Sequence, residues 1–322
     1  MSSRLDVSLV VKVSKMYYLE GLKQEDIARQ IGISRSLISM ILTEAKESGI
    51  VEITVRDPFL NDEHISGSLA SFYPATDFVV IPSSSRDPDA QRKLVAQRAA
   101  DILARILKRG ETLGLAWGRT TFELVRAFQP QEPRLELSVV PLIGGSHQTA
   151  PYFQINEMVR LFAEKAGGAP SFIHAPALVS DCAEKDVYFN TSSMTAIRQA
   201  WRSMDVFVSG VGAIPQGETI DRETYAGEHE IFMHLKSPDA VGDICARYFD
   251  RSGHFIVDDY YERIVGVPLD ELRGAKSNVI MASGTDKSEA IAAVLRTGMV
   301  RTLVLDEQTA KSALDIVRVK GA

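Results

Sequence analysis

The chain has 322 residues, 45% of them hydrophobic and 24% charged, with a formal net charge of −6 and two cysteines. That length holds roughly two to three domains of about 100–200 residues each, and the composition is that of a globular chain rather than a disordered one. No apolar run reaches the roughly 18 residues of a bilayer crossing, and charges interrupt the N-terminus where a signal peptide needs an unbroken apolar segment.

A cytoplasmic protein with no membrane partner is therefore expected. Cys182 and Cys245 show no CxxC spacing and no clustered His, so two reduced thiols are expected, with neither a disulfide framework nor a metal site.

Leu9 to Leu19 reads as an amphipathic helix. In "LKQEDIARQIGISRSLISMIL", Leu22 to Leu42, residues Ile27, Ala28 and Ile31 share one helical face, and Gly32 stands where that helix must end. Ser34 is a good N-cap for a second helix running to about Ser48, with Gly49 as its stop. On it Ile38, Ile41, Leu42 and Ala45 recur at three- and four-residue steps, which leaves Arg35, Ser36, Ser39 and Met40 outward. This is the pattern of a helix-turn-helix, whose second helix offers its first turns to base edges in the major groove of duplex DNA. Arg35 suits a guanine edge or a phosphate, Ser36 and Ser39 allow close approach, and Met40 can press on a thymine methyl. Gln24, at the start of the preceding helix, can donate to a phosphate. The same pattern also fits an αα-hairpin inside an enzyme. Against that stand the preceding helix, which completes a three-helix core, and the alternating "IVEITVRD", Ile50 to Asp57, which reads as a short strand or wing.

A boundary is expected near "RDPFLNDEHISG", Arg56 to Gly67, where Pro, Asn, Asp and Gly accumulate. It divides the chain into residues 1–56, a DNA-binding head, and 57–322, a ligand-binding and oligomerising body. The head holds eight Lys or Arg against seven Asp or Glu, net +1, which leaves −7 for the body. The asymmetry is small but has the sign of a nucleic-acid head on an acidic body.

Beyond the boundary, strand-like and helix-like pieces alternate. "DFVVIP" precedes a long helix over Pro88 to Leu107, "TLGLAW" precedes "TTFELVRAF", and "ELSVVPLI" precedes "QINEMVRLFAEKAG". "MDVFVSGVG", "NVIMASG" with "DKSEAIAAVLRTG", and "TLVLDEQTAKSALDIV" follow. The expected class is α/β: a winged helix-turn-helix head followed by a Rossmann-like parallel sheet with helices on both faces. Ligands of such sheets sit beyond the carboxyl ends of the strands. Three turns occupy that position: "GLAWGRTT" (Gly114 to Thr121), "IGGSHQ" (Ile143 to Gln148) and "SGTDKSEA" (Ser283 to Ala290). Lys287 in the third opposes the dipole of its own helix unless an anion lies between them. None of these turns matches a dinucleotide fingerprint or a P-loop, and no cofactor is expected.

In this order "YYLEGLKQEDIARQIGISRSLISMIL", "GLAWGRTT", "PLIGG", "VSGVG", "VGDICARYFD" and "GTDKSEAIAAVLRTGMVRTLVLDEQTA" make the chain resemble, over nearly its whole length, the SorC family of bacterial transcriptional regulators. The resemblance implies a ligand domain similar to sugar-phosphate isomerases and glucosamine-phosphate deaminases. It implies an effector that is a sugar, polyol or phosphorylated derivative, and assembly into homodimers or tetramers on operator DNA. By position it implies that Trp117, Gly118, Arg119 and Thr120 line one wall of the effector site. Gly145 and Ser146 would form another edge, and Gln154 and Asn156 would flank it. His147, directly after that turn, is placed either to set ligand preference or as a hydrogen-bonded loop histidine. Asp243 would hold ligand hydroxyls and Lys287 the phosphate or another polar end. Trp117 is apt, because an indole face packs on the C–H face of a sugar. The chain departs from the family at Leu37 and Met40, where relatives often carry basic residues, and at Ser283, where many read Gly.

Two other readings compete with a ligand-responsive regulator. A sugar-phosphate isomerase or deaminase with an accessory helical domain would need a general base, for which Asp205, Asp243 and Glu228 are the candidates, none at a paired spacing. A purely structural DNA-binding protein is disfavoured by the acidic body.

Overall fold

The computed structural model describes residues 6–51, 62–83, 85, 87–132, 134–147, 149–214 and 239–320. The chain separates into two compact units, Met1–Asp57 and Pro58–Ala322.

The first unit is built from α1 (Val7–Tyr18), α2 (Gln24–Ile31) and α3 (Arg35–Glu47). Each boundary has a local cause. The Asp6 carboxylate accepts the Ser8 N–H at 2.9 Å and starts α1. At the end of α2, Gly32 turns left-handed (φ 80°), and the N–H groups of Gly32 and Ile33 both donate to the Ala28 carbonyl. Ser34 then caps α3 by accepting the Leu37 N–H at 3.2 Å. Val13, Ile27, Ile38, Ile41 and Ala45 are fully buried where the three helices meet. Each of the isoleucines contributes about 1.5–3 kcal/mol by leaving water. The wing expected over residues 50–57 lies, from residue 52 onward, outside the described residues.

The second unit is a three-layer α/β structure. Its sheet joins β1 (Asp77–Ile81), β2 (Thr112–Leu115), β3 (Ser138–Pro141), β4 (Ala169–Pro170), β5 (Val206–Gly210), β9 (Ser277–Ala282) and β10 (Thr302–Asp306). All pairings are parallel, in the spatial order β1-β10-β9-β5-β2-β3-β4. Strands buried on both faces need apolar residues at every position. Successive residues divide between two cores: Phe207, Ile280, Leu303 and Leu305 face one way, and Val206, Val208, Val279, Met281 and Val304 the other. The first core is covered by α4 (Glu63–Phe72), α9 (Ser192–Arg202) and two C-terminal helices, α12 (Ser288–Arg296) and α13 (Glu307–Lys320). The second is covered by α5 (Pro88–Ile106), α6 (Arg119–Ala127) and α7 (Ile155–Ala166).

A small antiparallel sheet of β6 (Gly212–Ala213), β7 (Ala240–Ile244) and β8 (Arg247–Asp250) is appended after β5. Three further short helices, α8 (Cys182–Phe189), α10 (Asp259–Arg263) and α11 (Leu269–Gly274), lie in the connections between strands. No helix among the described residues is long and apolar enough to cross a membrane.

Candidate functional site

From β2 the chain adds β3 and β4 on one side, then crosses to place β5, β9 and β10 on the other, so the strand order reverses between β2 and β5. A crevice forms at the carboxyl end of such a switch point. Here it is a cleft of about 520 Å³, bounded by the ends of β1, β2, β5, β9 and β10 and by one edge of the small sheet. The leading turns of four helices reach it: Asp87 and Pro88 of α5, Gly118 to Thr121 of α6, Gly284 to Lys287 ahead of α12, and Gln308 and Thr309 of α13. Their dipoles direct partial positive charge into the cleft, which favours an electronegative occupant.

Trp117, Gly118, Arg119, Thr120, Asp243 and Lys287 all line this cleft, although they come from three distant stretches of chain. The Gly118 N–H donates to the Tyr152 carbonyl at 2.9 Å, and the Arg119 guanidinium lies 5.5 Å from the centre of the Tyr152 ring. Trp117 meets Phe153 edge to face with centroids 5.8 Å apart, so the aromatic pair holds the indole at the rim. Lys287 donates to the Val211 carbonyl at 3.1 Å. Asp243 accepts the Ala246 N–H at 3.0 Å and pairs across the small sheet with Gly212. A side chain at Gly212 would collide with the Asp243 carboxylate, so a glycine there is what leaves room for that acid.

The loop that carries Lys287 is fixed from beneath. Asp306 ends β10, is 3% exposed, and accepts from the Thr309 N–H (2.9 Å), the Thr309 hydroxyl (2.6 Å) and the Gly284 N–H (3.3 Å). The Gly284 N–H also reaches the Thr309 hydroxyl oxygen at 2.8 Å. One carboxylate thus caps α13 and ties two strand ends together.

The two-residue turn between β7 and β8 places Cys245 and Ala246 in the left-handed region (φ 53° and 56°), a conformation costing roughly 1–2 kcal/mol per non-glycine residue. Cys245 and Tyr248 of this hairpin line the cleft. Burial pushes the Cys245 thiol up to about 12, against a smaller pull from its hydrogen bond with the Ser209 hydroxyl. Burial likewise raises the Tyr248 and Tyr260 phenols well above their ordinary value, so all three stay protonated near neutral pH.

The second Gly-rich turn behaves differently from the other two. Gly145, Ser146 and His147 do not line the cleft, and neither do Gln154 and Asn156. β3 lies on the far side of β2 from the switch point, and the chain after it is occupied with a neighbouring segment. Gly145 donates to the Ala175 carbonyl and accepts from the Ala177 N–H, each at 2.8 Å. Gly144 approaches the Ala175 and Pro176 carbonyls so closely that a Cβ would lie 2.6–2.7 Å from them. Gly144 therefore serves backbone packing, while a Cβ at Gly145 would make only ordinary contact. Asn156 is committed as well: its amide donates to the Ile173 carbonyl (2.9 Å) and accepts the Ile173 N–H (3.1 Å). The flanking position that the resemblance gives to Gln154 and Asn156 is held instead by Tyr152 and Phe153.

Of the carboxylates weighed as general bases, Asp205 sits at the opposite end of the sheet, accepting from the Thr112 N–H (2.9 Å) and from Lys276 (2.5 Å). Glu228 lies outside the described residues.

On α3, Arg35, Ser36 and Ser39 are exposed and Met40 is 57% exposed, on the side opposite Ile38, Ile41 and Leu42. Arg35 is paired with Glu25 of α2 at 3.4 Å with both side chains largely in solvent, and Gln24 is half-buried.

Residues 57–315 match the family model described as "Putative sugar-binding domain". The sorbitol operon regulator of Klebsiella pneumoniae is 26% identical over 310 residues, 96% of this chain and 98% of that relative. The deoxyribonucleoside regulator of Bacillus subtilis is 27% identical over 307 residues, 95% and 97% respectively. The crystal structure of the full-length sorbitol operon regulator SorC from Klebsiella pneumoniae superposes with a TM-score of 0.76 at 25% identity, covering 97% of this chain and all of that one. With a matched ligand domain behind a three-helix head, and relatives of this kind along its whole length, the chain belongs to the sugar-binding-domain family of SorC-type transcriptional regulators.

Proposed function

We propose that the cleft binds a sugar, polyol or sugar-phosphate effector, and that its occupancy sets the affinity of α3 for an operator in front of carbohydrate or polyol catabolic genes. The observation that carries this reading is the convergence of Trp117, Asp243 and Lys287 on one cleft at the switch point. An indole for the C–H face, a carboxylate for hydroxyls and an ammonium for an anionic end are complementary to such a molecule. Arg35, Ser36, Ser39 and Met40 form the face offered to base edges, with Gln24 toward the backbone. Two-fold operators call for paired heads, so a homodimer or homotetramer in the cytoplasm is part of the proposal. The ratio of operator affinities with and without effector equals the ratio of effector affinities with and without operator.

The chain acts here as a binder rather than a catalyst. General acid–base work needs a group that titrates near the working pH. The thiol and phenols beside Asp243 are instead held protonated by burial.

Gel-shift titration of the operator against a panel of sugars, polyols and their phosphates tests the proposal. Asp243→Ala and Lys287→Ala are expected to bind operator as the wild type does while losing at least about tenfold in effector response. A wild type that answers to no compound, or pocket variants that answer as it does, would overturn the effector reading.

A further inference from the structure

The cleft has a second, differently built wall. Where α5 meets α6, residues of both helices and of the β1 end face the cleft: Ser83, Gln91, Arg92 and Thr121. Gln91 is 6% exposed and Thr121 fully buried. Among the described residues, the Ser83 hydroxyl, both amide atoms of Gln91, the Arg92 Nε and the Thr121 hydroxyl are buried without any hydrogen-bond partner in the protein. Buried polar groups are nearly always satisfied, and each one left unmade costs about 1–3 kcal/mol. A concentration of them on one wall of one cleft marks a surface built for a polar occupant.

The chemistry of the wall narrows what that occupant is. Of these four residues Arg92 is the cation, and its terminal nitrogen lies 2.6 Å from the Asp89 carboxylate, which offsets its charge. A carboxamide needs an acceptor for its N–H and a donor for its oxygen at neighbouring positions. A phosphate or carboxylate supplies acceptors alone and would leave the Gln91 oxygen opposed to an anion. A hydroxyl is donor and acceptor at once, and two on adjacent carbons match the two ends of the amide.

We propose that this wall is a hydroxyl-reading subsite, with Gln91 the residue that determines specificity for the polyhydroxylated part of the effector, in the cleft that also holds Lys287. The proposal rests on the effector reading above and adds to it the end of the molecule that is recognised and the residue that recognises it. It also makes a prediction about the empty protein. A side chain kept polar for a ligand burdens the free fold, whereas one kept polar for the scaffold supports it.

The experiment compares wild type with Gln91→Met, which keeps length and removes both polar atoms. Melting temperature is measured without ligand, and binding by calorimetry with sorbitol, sorbitol 6-phosphate, ribose 5-phosphate, 2-deoxyribose 5-phosphate and inorganic phosphate. Ligand-free Gln91→Met is expected to melt at or above the wild-type temperature. It should bind the polyhydroxylated probe preferred by the wild type at least about tenfold more weakly, and should lose the preference between ribose and deoxyribose phosphates. Thr121→Val is expected to show the same signature in smaller measure, and carries the test if Gln91→Met does not fold. A variant that melts lower than wild type yet binds every probe equally well would assign the amide to the scaffold or to water and overturn the subsite alone. A wild type that binds none of the probes would overturn the effector reading and the subsite with it.

Discussion

Two walls of one cleft solve the same problem in opposite ways. On the β9–β10 side the acid beneath the Lys287 loop is matched within the protein, Asp306 taking up the Gly284 and Thr309 N–H groups and the Thr309 hydroxyl. On the α5–α6 side the polar atoms of Gln91 and the Thr121 hydroxyl are equally buried and have no partner among the described residues. The Asp306 network is scaffold, because its hydrogen bonds are complete before anything binds. The α5–α6 wall acquires its partners from outside. Burial alone does not separate Asp306 from Gln91; the state of their hydrogen bonds does.

That contrast is exposed most severely at Asp306. Asp306→Ala strands buried donors at two strand ends and removes the α13 cap, and is expected to cost about 3 kcal/mol or more of unfolding free energy in urea titration. A loss below about 1 kcal/mol would mean that the matched wall is not the rigid one.

A smaller effect is expected between the two walls. Gly212→Ala drives a methyl group into the Asp243 carboxylate, which can swing aside by leaving its rotamer at a cost of about 1 kcal/mol. Stability should therefore change little while effector affinity falls at least about tenfold, as in Asp243→Ala. Equal affinity in Gly212→Ala and wild type would show that the position of the Asp243 carboxylate is immaterial.

The smallest effect belongs to the far end of the sheet. Burial pushes the Asp205 carboxyl up, but the hydrogen bonds from Lys276 and from the Thr112 N–H outweigh it and hold the group below its ordinary value. A depressed folded pKa contributes stability that is present above the unfolded value, near 3.8, and is lost as pH falls through the folded one. Asp205→Asn should thus be slightly less stable than wild type at pH 7, with the difference shrinking as the pH drops below about 4 and no change in effector binding at pH 7. A difference that grows on acidification would contradict the assignment.

How much of this was legible in the sequence follows from the range of the interactions involved. The head was readable in full as far as it is described, because periodicity, Gly32 and the Ser34 cap act within a few residues of one another. The strand–helix alternation of the body was readable for the same reason. That Gly118 to Thr120 and Lys287 line the cleft was legible because each lies where a strand runs into a helix, whereas the positions of Trp117 and Asp243 came only through family resemblance. Tyr152, Phe153 and Gln91 were not found, since what brings them to the cleft is the placement of α5 and of the segment before α7 against β2 and its helix. Asp306 left a local trace that reasoning passed over: an acid closing a strand, three residues before Thr309, is an N-cap signal. The "IGGSHQ" turn lies outside this cleft, and a glycine pair at a strand end looks alike in sequence whether it meets a ligand or, as here, the 175–177 backbone.

The cleft residues sit on strand termini and opening helical turns, while the apolar side chains that bind the sheet to its helices lie deeper along the same elements. Recognition and foldability are thereby written in separate letters of the chain. Substitutions at a handful of rim residues can alter what the cleft accepts while leaving the interior that makes the protein fold untouched.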